Sequence, residues 1–427
     1  MVIVTVVTVA LAACTNTTTS STGSTVPVSS SAPGVTRNAI YVGSLATATG
    51  PLAGQFGQVV DGVEAYLDAV DARGGVDGRK IYLRYQADDS GSPTDDTAQA
   101  RNLVEQDHVF AVVGVGTPFF TGASFLAAEG TPAFGYVVSQ NWNIHPDLFG
   151  AYGSYLDFSE VQPGLVDIAK DLKAKSVAVV AYNGVTQSED ACAAVIRGLE
   201  VAGVHVGFQD LAFGIGADPT ADVLSMKAAH VDFLISCMEG SDNLAFDEAM
   251  HENGMTGVHS VWLNGYNRAY LKQDPADMVG VIYLEQHVPF EAATQFPGRY
   301  PAMEQYLRTM NRYEPQWTYN ELALEGYLNA AQFVQGLTEE AKTGKPLTQA
   351  DLIAAINRET AFTGGLTTPI NWSKAHTSPP TILCGSLVEV EPGDVLKVVG
   401  VTRHDEVFAC VNTAGTVVAP PPGTPGL

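Results

Sequence analysis

The feature that most constrains this chain is a beat. From residue 39 to residue 263, short apolar runs rich in β-branched residues alternate with segments of helical period. Alternation of that length implies parallel strands, because each helix carries the chain back across the sheet and the helices end up covering both faces. Residues 39–43 make the first strand run. A loop follows, then a helix in which Val60, Val63, Leu67 and Val70 fall on one face and which Gly74-Gly75 stops. Residues 81–85 form a second strand. The polar turn Asp88-Asp89-Ser90-Gly91-Ser92-Pro93 follows, with Asp88 and Asp89 read as solvating it, and Thr94 is placed to N-cap a helix through Glu105. Residues 110–113 are a third strand, leading through Gly114-Val-Gly-Thr-Pro-Phe-Phe-Thr121 into a helix that ends at Ala128.

The beat restarts after residue 155: helix 161–173, strand 176–182, helix 188–202, strand 204–208, helix 220–229, strand 232–237, helix 242–253 and strand 259–263. Two such runs predict an α/β chain of two doubly wound parallel-sheet lobes. The length of 427 residues accommodates them, and a composition that is 46% hydrophobic and 16% charged excludes a disordered or fibrous chain. In open parallel sheets a ligand sits beyond the carboxyl ends of the strands, where helix N-termini offer backbone N–H groups. The loops to watch are therefore 44–57, 114–121, 135–142, 183–188, 238–242 and 264–268.

Charge narrows the partners. With 22 Lys+Arg against 46 Asp+Glu, the net charge is −24, which repels a phosphate backbone and excludes nucleic acid as the expected partner. Residues 1–13 are apolar and end in Leu11-Ala12-Ala13-Cys14, which resembles a bacterial lipobox; the expectation is a signal over 1–14 with Cys14 lipidated. From Thr15 to Thr36, 13 of 22 residues are Ser or Thr, so 15–36 is expected to be a tether, a coil of roughly 25 Å r.m.s. reach. The body is then exported and anchored by lipid to the outer face of the cytoplasmic membrane. Four further cysteines, Cys192, Cys237, Cys384 and Cys410, allow three pairings in an oxidising compartment; the sequence-near pairs Cys192 with Cys237 and Cys384 with Cys410 are preferred, the second closing a loop worth on the order of 3 kcal/mol.

Several segments in this order carry a resemblance. They are Ile40-Tyr-Val-Gly with Thr49-Gly50-Pro51 and Gln55-Phe56-Gly57; Asp71-Ala-Arg-Gly-Gly-Val-Asp-Gly-Arg-Lys80; and Ala100-Arg-Asn-Leu-Val-Glu-Gln-Asp-His-Val-Phe-Ala-Val-Val-Gly114. Together, behind a lipobox and a Ser/Thr tether, they resemble the solute-binding proteins of ABC importers of the leucine/isoleucine/valine-binding type, the type I periplasmic binding proteins. More loosely, Gly326-Tyr-Leu-Asn-Ala330 resembles the start of that family's long C-terminal helix, and Phe362-Thr-Gly-Gly365 the point where its chain recrosses. The resemblance implies two lobes joined by a three-crossover hinge: lobe one from 37–155 plus about 288–362, lobe two from 156–287 plus about 363–413, and a flexible tail at 414–427. It implies a monomer that closes on a small polar organic solute, an amino acid or a related carboxylate or amide, and hands it to a membrane permease with its ATPase. A sensor of the same fold, signalling to a partner protein without transport, is the alternative.

Carried over residue by residue, the resemblance makes Phe56 an aromatic wall of the cleft, Thr117 the hydroxyl that holds a ligand carboxylate, and Ser139 a second hydroxyl of that subsite. Backbone N–H groups near Thr121 complete an anion nest. Phe119 and Phe120 are expected against the ligand's apolar part, and Trp142 is a candidate cover for the cleft mouth. Two departures stand out. Thr186-Gln187 occupies the place of a usual Tyr-Gly pair. Asn264-Gly-Tyr266-Asn267 stands where amino-acid binders place an acid for the ammonium group, which leaves Glu239, beside Met238, as the carboxylate available from the neighbouring loop. The binding set is therefore Phe56, Thr117, Phe119, Phe120, Ser139, Thr186, Gln187, Met238, Glu239, Tyr266 and Asn267. No motif points to catalysis, a metal or a cofactor: Gly114-Val-Gly-Thr lacks a third glycine, Gly344-Lys-Pro lacks a phosphate-loop Ser/Thr, and His251-Glu252 has no second His.

Overall fold

The computed structural model describes residues 32–143, 145–157, 163–401 and 404–427. The expected signal, Cys14 and most of the tether lie outside the described residues. The ordered body begins earlier than residue 37: Val35 bridges to Ile40, and Tyr41 N donates to Gly34 O at 2.8 Å. No helix among the described residues is long and apolar enough to cross a membrane.

The first sheet contains β1 (Ala39–Ala46), β2 (Lys80–Asp88), β3 (Val112–Gly116), β4 (Ala133–Gly135) and β5 (Leu148–Gly150), in the order β2-β1-β3-β4-β5, all parallel. It carries α1 (Ala53–Phe56), α2 (Val59–Asp71), α3 (Pro93–Glu105) and α4 (Ala123–Ala128). The buried face of α2 is Val59, Val63, Leu67 and Val70; Val60, expected on it, is only half-buried. The cap of α3 is Ser92, whose hydroxyl accepts from Asp95 N at 3.3 Å with Pro93 in the first turn, so Thr94 lies inside the helix rather than before it.

The second sheet runs β6 (Val177–Tyr182), β7 (Val206–Phe213), β8 (Phe233–Ser236), β9 (His259–Trp262) and β10 (Val281–Glu285), ordered β7-β6-β8-β9-β10 and parallel, with α5 (Pro163–Asp171), α6 (Thr186–Val201), α7 (Thr220–Ala228), α8 (Gly240–Glu252) and α9 (Arg268–Gln273) between them. All six residues of β6 are buried, as a continuous apolar run covered on both faces requires. Cys192 on α6 pairs with Cys237 just after β8, as expected.

After β10 the chain returns to the first lobe through α10 (Ala292–Gln295), α11 (Pro301–Tyr313), α12 (Glu321–Ala341) and α13 (Gln349–Asn357). Helix α12 lies on α2, β3 and β4. Two glycines allow that approach: a Cβ on Gly62 would stand 1.7 Å from Ala323 O, and one on Gly326 would stand 1.9 Å from Val59 O. Ile370 and Trp372 still pack in the first-lobe core, Trp372 edge-on to Phe149 at 5.1 Å, so the chain recrosses later than the expected 363.

The return to the second lobe adds an antiparallel extension to the parallel sheet. Strand β11 (Ile382–Glu391) pairs antiparallel with β10, and β12 (Val395–Val399), β13 (Ala409–Asn412) and β14 (Val417–Val418) extend it antiparallel. Cys384 and Cys410 face each other in the β11–β13 register and are disulfide-bonded. The tail at 414–427 is not free either: β14 lies within it, Thr424 is buried, and Gly426 sits against the Tyr300 ring.

Candidate functional site

Strand order fixes where a site can form. In the first sheet β1 lies between β2 and β3, and in the second β6 lies between β7 and β8, so the loops after these strands diverge and leave a crevice at each sheet's carboxyl end. The two crevices face each other. Gln187, in the first turn of α6, donates its amide to Pro118 O in the other lobe at 2.7 Å, and the Tyr136 hydroxyl, just after β4, donates to Asn264 Oδ1 just after β9. A cavity of about 220 Å³ opens between Pro118, Phe119 and Ser139 on one side and Thr186, Gln187 and Asp190 on the other.

Thr117, the lobe-one hydroxyl expected to hold a ligand carboxylate, already holds one from within the lobe. Thr117 is fully buried and donates to Asp89 Oδ2 at 2.5 Å, while Thr47 donates to Asp89 Oδ1 at 2.6 Å and Gly91 N to the same oxygen at 2.9 Å. The helix start near Thr121 is likewise filled: Gly122 N donates to Asp96 Oδ1 at 2.6 Å and the Thr121 hydroxyl at 3.2 Å. Burial pushes the Asp96 carboxyl up to about 7, against the opposing pull of those donors. Asp89, read from sequence as a solvated turn residue, is instead fully buried, its carboxyl held by donors from within the lobe. Ser139 does reach the cavity, but its hydroxyl donates to Phe119 O at 3.2 Å.

Four expected contacts serve other purposes. Phe120 is fully buried 4.5 Å from the Trp142 ring, so both belong to the first-lobe core. Met238 lies in the second-lobe core with Phe246. Asn267 caps α9, its Oδ1 accepting from Ala269 N at 2.8 Å. Tyr266 stacks on Phe290 at 4.9 Å and donates to Glu291, which also takes Arg268 Nη2 at 2.8 Å. Phe56 remains at the seam between the lobes, its ring 5.9 Å from that of Tyr136.

Sequence reasoning singled out Glu239 but missed the set it belongs to, a group of buried carboxylates where the lobes meet. Glu239 follows β8, Glu285 ends β10, and Glu321 and Glu325 occupy the first two turns of α12; all four are buried. All four act electrostatically on the buried Tyr136 hydroxyl, whose ionisation burial pushes far up. Burial raises Glu239, Glu285 and Glu321 each to about 8, with mutual repulsion adding to it, and raises Glu325 further. Glu321 accepts from Gly265 N at 2.8 Å and from the Gln55 amide, so it touches both lobes. His287 is fully buried with Nε2 3.1 Å from Glu285 Oε2, and burial holds it below its ordinary value. Among the described residues, neither Glu239, Glu321 nor Glu325 has a Lys or Arg ion-pair partner, and no group of His, Cys, Asp or Glu is arranged to hold a metal ion.

A signal for these acids existed in the sequence. Glu321, Glu325, Asn329 and Gln332 recur at helical spacing, a polar stripe on an otherwise apolar helix. Every one of them is buried, which only the fold reveals.

Comparison with known proteins agrees with this architecture. Residues 39–394 match the family model described as periplasmic binding protein. Leu/Ile/Val-binding protein homolog 7 of Brucella abortus (strain 2308) is 25% identical over 320 residues, covering 70% of this chain and 77% of that protein. The fold is similar to a fatty acid ABC transporter substrate-binding protein from Thermomonospora curvata (TM-score 0.70, 17% identity, 86% of this chain and 93% of that one). It is also similar to a branched-chain amino acid transporter substrate-binding protein from Streptococcus pneumoniae solved with isoleucine (0.68, 16%, 85% and 99%), and to a solute-binding protein from R. palustris solved with 4-hydroxybenzoate (0.69, 16%, 88% and 97%).

Proposed function

The chain belongs to the periplasmic binding protein family, and from that premise we propose that it is the extracytoplasmic capture component of an ABC importer. It closes two lobes over a small polar organic solute and passes the solute unchanged to a membrane permease. The observation that carries this reading is the seam itself: loops from the carboxyl ends of both sheets meet through Gln187–Pro118 and Tyr136–Asn264 hydrogen bonds around buried polar side chains. Such contacts are made only when the lobes are together, so a solute that adds its own contacts there shifts the equilibrium toward that form by its differential affinity. The similar proteins are named or solved with branched-chain amino acids, a fatty acid and an aromatic acid, a spread that supports solute capture as the shared task and leaves the solute to each cleft.

The test uses spin labels on Glu129→Cys, exposed at the end of α4, and Val201→Cys, exposed at the end of α6. Their separation is measured against a panel of amino acids, amides, aromatic acids and amines. One class is expected to narrow the distance distribution and, at about 100 times its Kd, to add roughly 2.7 kcal/mol to unfolding. Distances that no member changes, or a solute converted to product, would overturn the reading.

A further inference from the structure

We propose that the solute is an organic cation carrying at least two ammonium-type groups and no carboxylate, held between Glu239 of the second lobe and Glu321 and Glu325 of α12, with Phe56 and Tyr136 against its carbon chain. This rests on the capture reading above and names its substrate class.

Three independent observations converge on it. The first is that the anion subsite of lobe one is internally filled. Asp89 takes both threonine hydroxyls and Asp96 takes the N–H and hydroxyl at the Thr121 turn, so a ligand carboxylate arriving there meets two carboxyls that already hold those donors. The second is the uncompensated seam. Arg268, the cation nearest in sequence to the Asn264 loop, is committed to Glu291 and lies over the Tyr319 ring at 4.0 Å. A buried carboxylate without a partner is costly, and an incoming ammonium removes that cost where an incoming carboxylate would add to it.

The third is a pair of acceptors left open. Gln55, 2% exposed, places its amide nitrogen on Glu321 and leaves its amide oxygen without a donor; Glu239, 7% exposed, has Oε2 without one. An ammonium group brings three donors and no acceptor, which is the complement of these groups. The carboxylates come from separate elements, after β8 and along the start of α12, and are not arranged as a shell around one ion. That spread suits an extended molecule with separated charges. Aromatic rings beside a cation add their own attraction, which gives Tyr136 and Phe56 a role along the same ligand.

The experiment is isothermal titration of the full body with cadaverine, spermidine, leucine, 4-hydroxybenzoate and calcium chloride, on the wild type and on Glu239→Gln and Glu321→Gln, each near-isosteric and each first checked for cooperative unfolding. Cadaverine or spermidine is expected to bind the wild type and to lose about tenfold or more in affinity in each variant. Binding of leucine or 4-hydroxybenzoate with no amine binding overturns the cation class while leaving capture intact, and so does calcium binding alone. Amines that bind the variants as well as the wild type overturn the assigned residues. If nothing binds and the spin-label distances also stay fixed across the wider panel, capture itself fails along with the class. Should a variant fail to fold, Gln55→Leu, which removes the open amide oxygen and adds no charge, is expected to weaken cadaverine in its place, and unchanged affinity there counts against the proposal.

Discussion

Glu239 and Thr117 make opposite predictions. Glu239→Gln removes an acid that burial holds at about 8, so at about pH 8 the solute-free variant is expected to be more stable than the wild type by roughly 1 kcal/mol, read from urea unfolding. A destabilised variant would mean that Glu239 has a stabilising partner in the empty protein. Thr117→Ala removes a hydroxyl from a buried aspartate and is expected to cost about 1.5–3 kcal/mol of stability while leaving solute affinity unchanged. The hydroxyl was legible from sequence as one that holds a carboxylate. What sequence could not supply was whose: Asp89 lies 28 residues away in the chain and reaches Thr117 only because β2 and β3 flank β1.

At the scale of elements, the parallel runs were legible because each strand is a bounded apolar segment followed by a helix with one apolar face. Strands β4 and β5, three residues each, are too short to show a period, and β11–β14 leave the pattern by running antiparallel. Helix α12 is the instructive case. It begins at Glu321 under the Asn320 cap, five residues before the expected start, and those first turns carry two of the acids of the seam. The helix is apolar on almost every side, so its polar stripe could not be assigned an inward direction from periodicity alone. Its close fit on α2 yields a sharp prediction. Gly326→Ala forces a methyl into Val59 O and is expected to cost at least about 2 kcal/mol, seen as a lowered unfolding midpoint, whereas Gly164→Ala, in α5 with open space around it and an ordinary helical backbone, is expected to cost less than half as much. The Cys192–Cys237 bond ties α6 to the loop that carries Glu239; its removal by paired Ala substitutions is expected to lose about 4 kcal/mol in the chain-entropy model, measured by the same unfolding.

The whole molecule inherits the electrostatics of its seam. Glu239, Glu285 and Glu321 have folded values of about 8, above the ordinary 4.5, so between these limits the folded state binds more protons than the unfolded one. Their contribution to stability is fully present below about pH 4.5 and is lost as pH rises through about 8. Groups facing them from neighbouring elements are Asp242, which accepts from the Tyr182 hydroxyl; His287, whose protonation burial disfavours; and Glu291, paired with Arg268. A dication bound in the seam replaces those protons, so its affinity rises with pH over the range in which the empty protein weakens.

The most direct measurement is therefore the unfolding midpoint of the body across pH 5 to about 9, with and without saturating cadaverine. The account predicts a midpoint that falls with pH in the empty protein and a fall that cadaverine largely abolishes, so that the shift it produces is largest at the alkaline end. A midpoint that cadaverine leaves unchanged at every pH, while leucine raises it uniformly, would contradict the account at its centre.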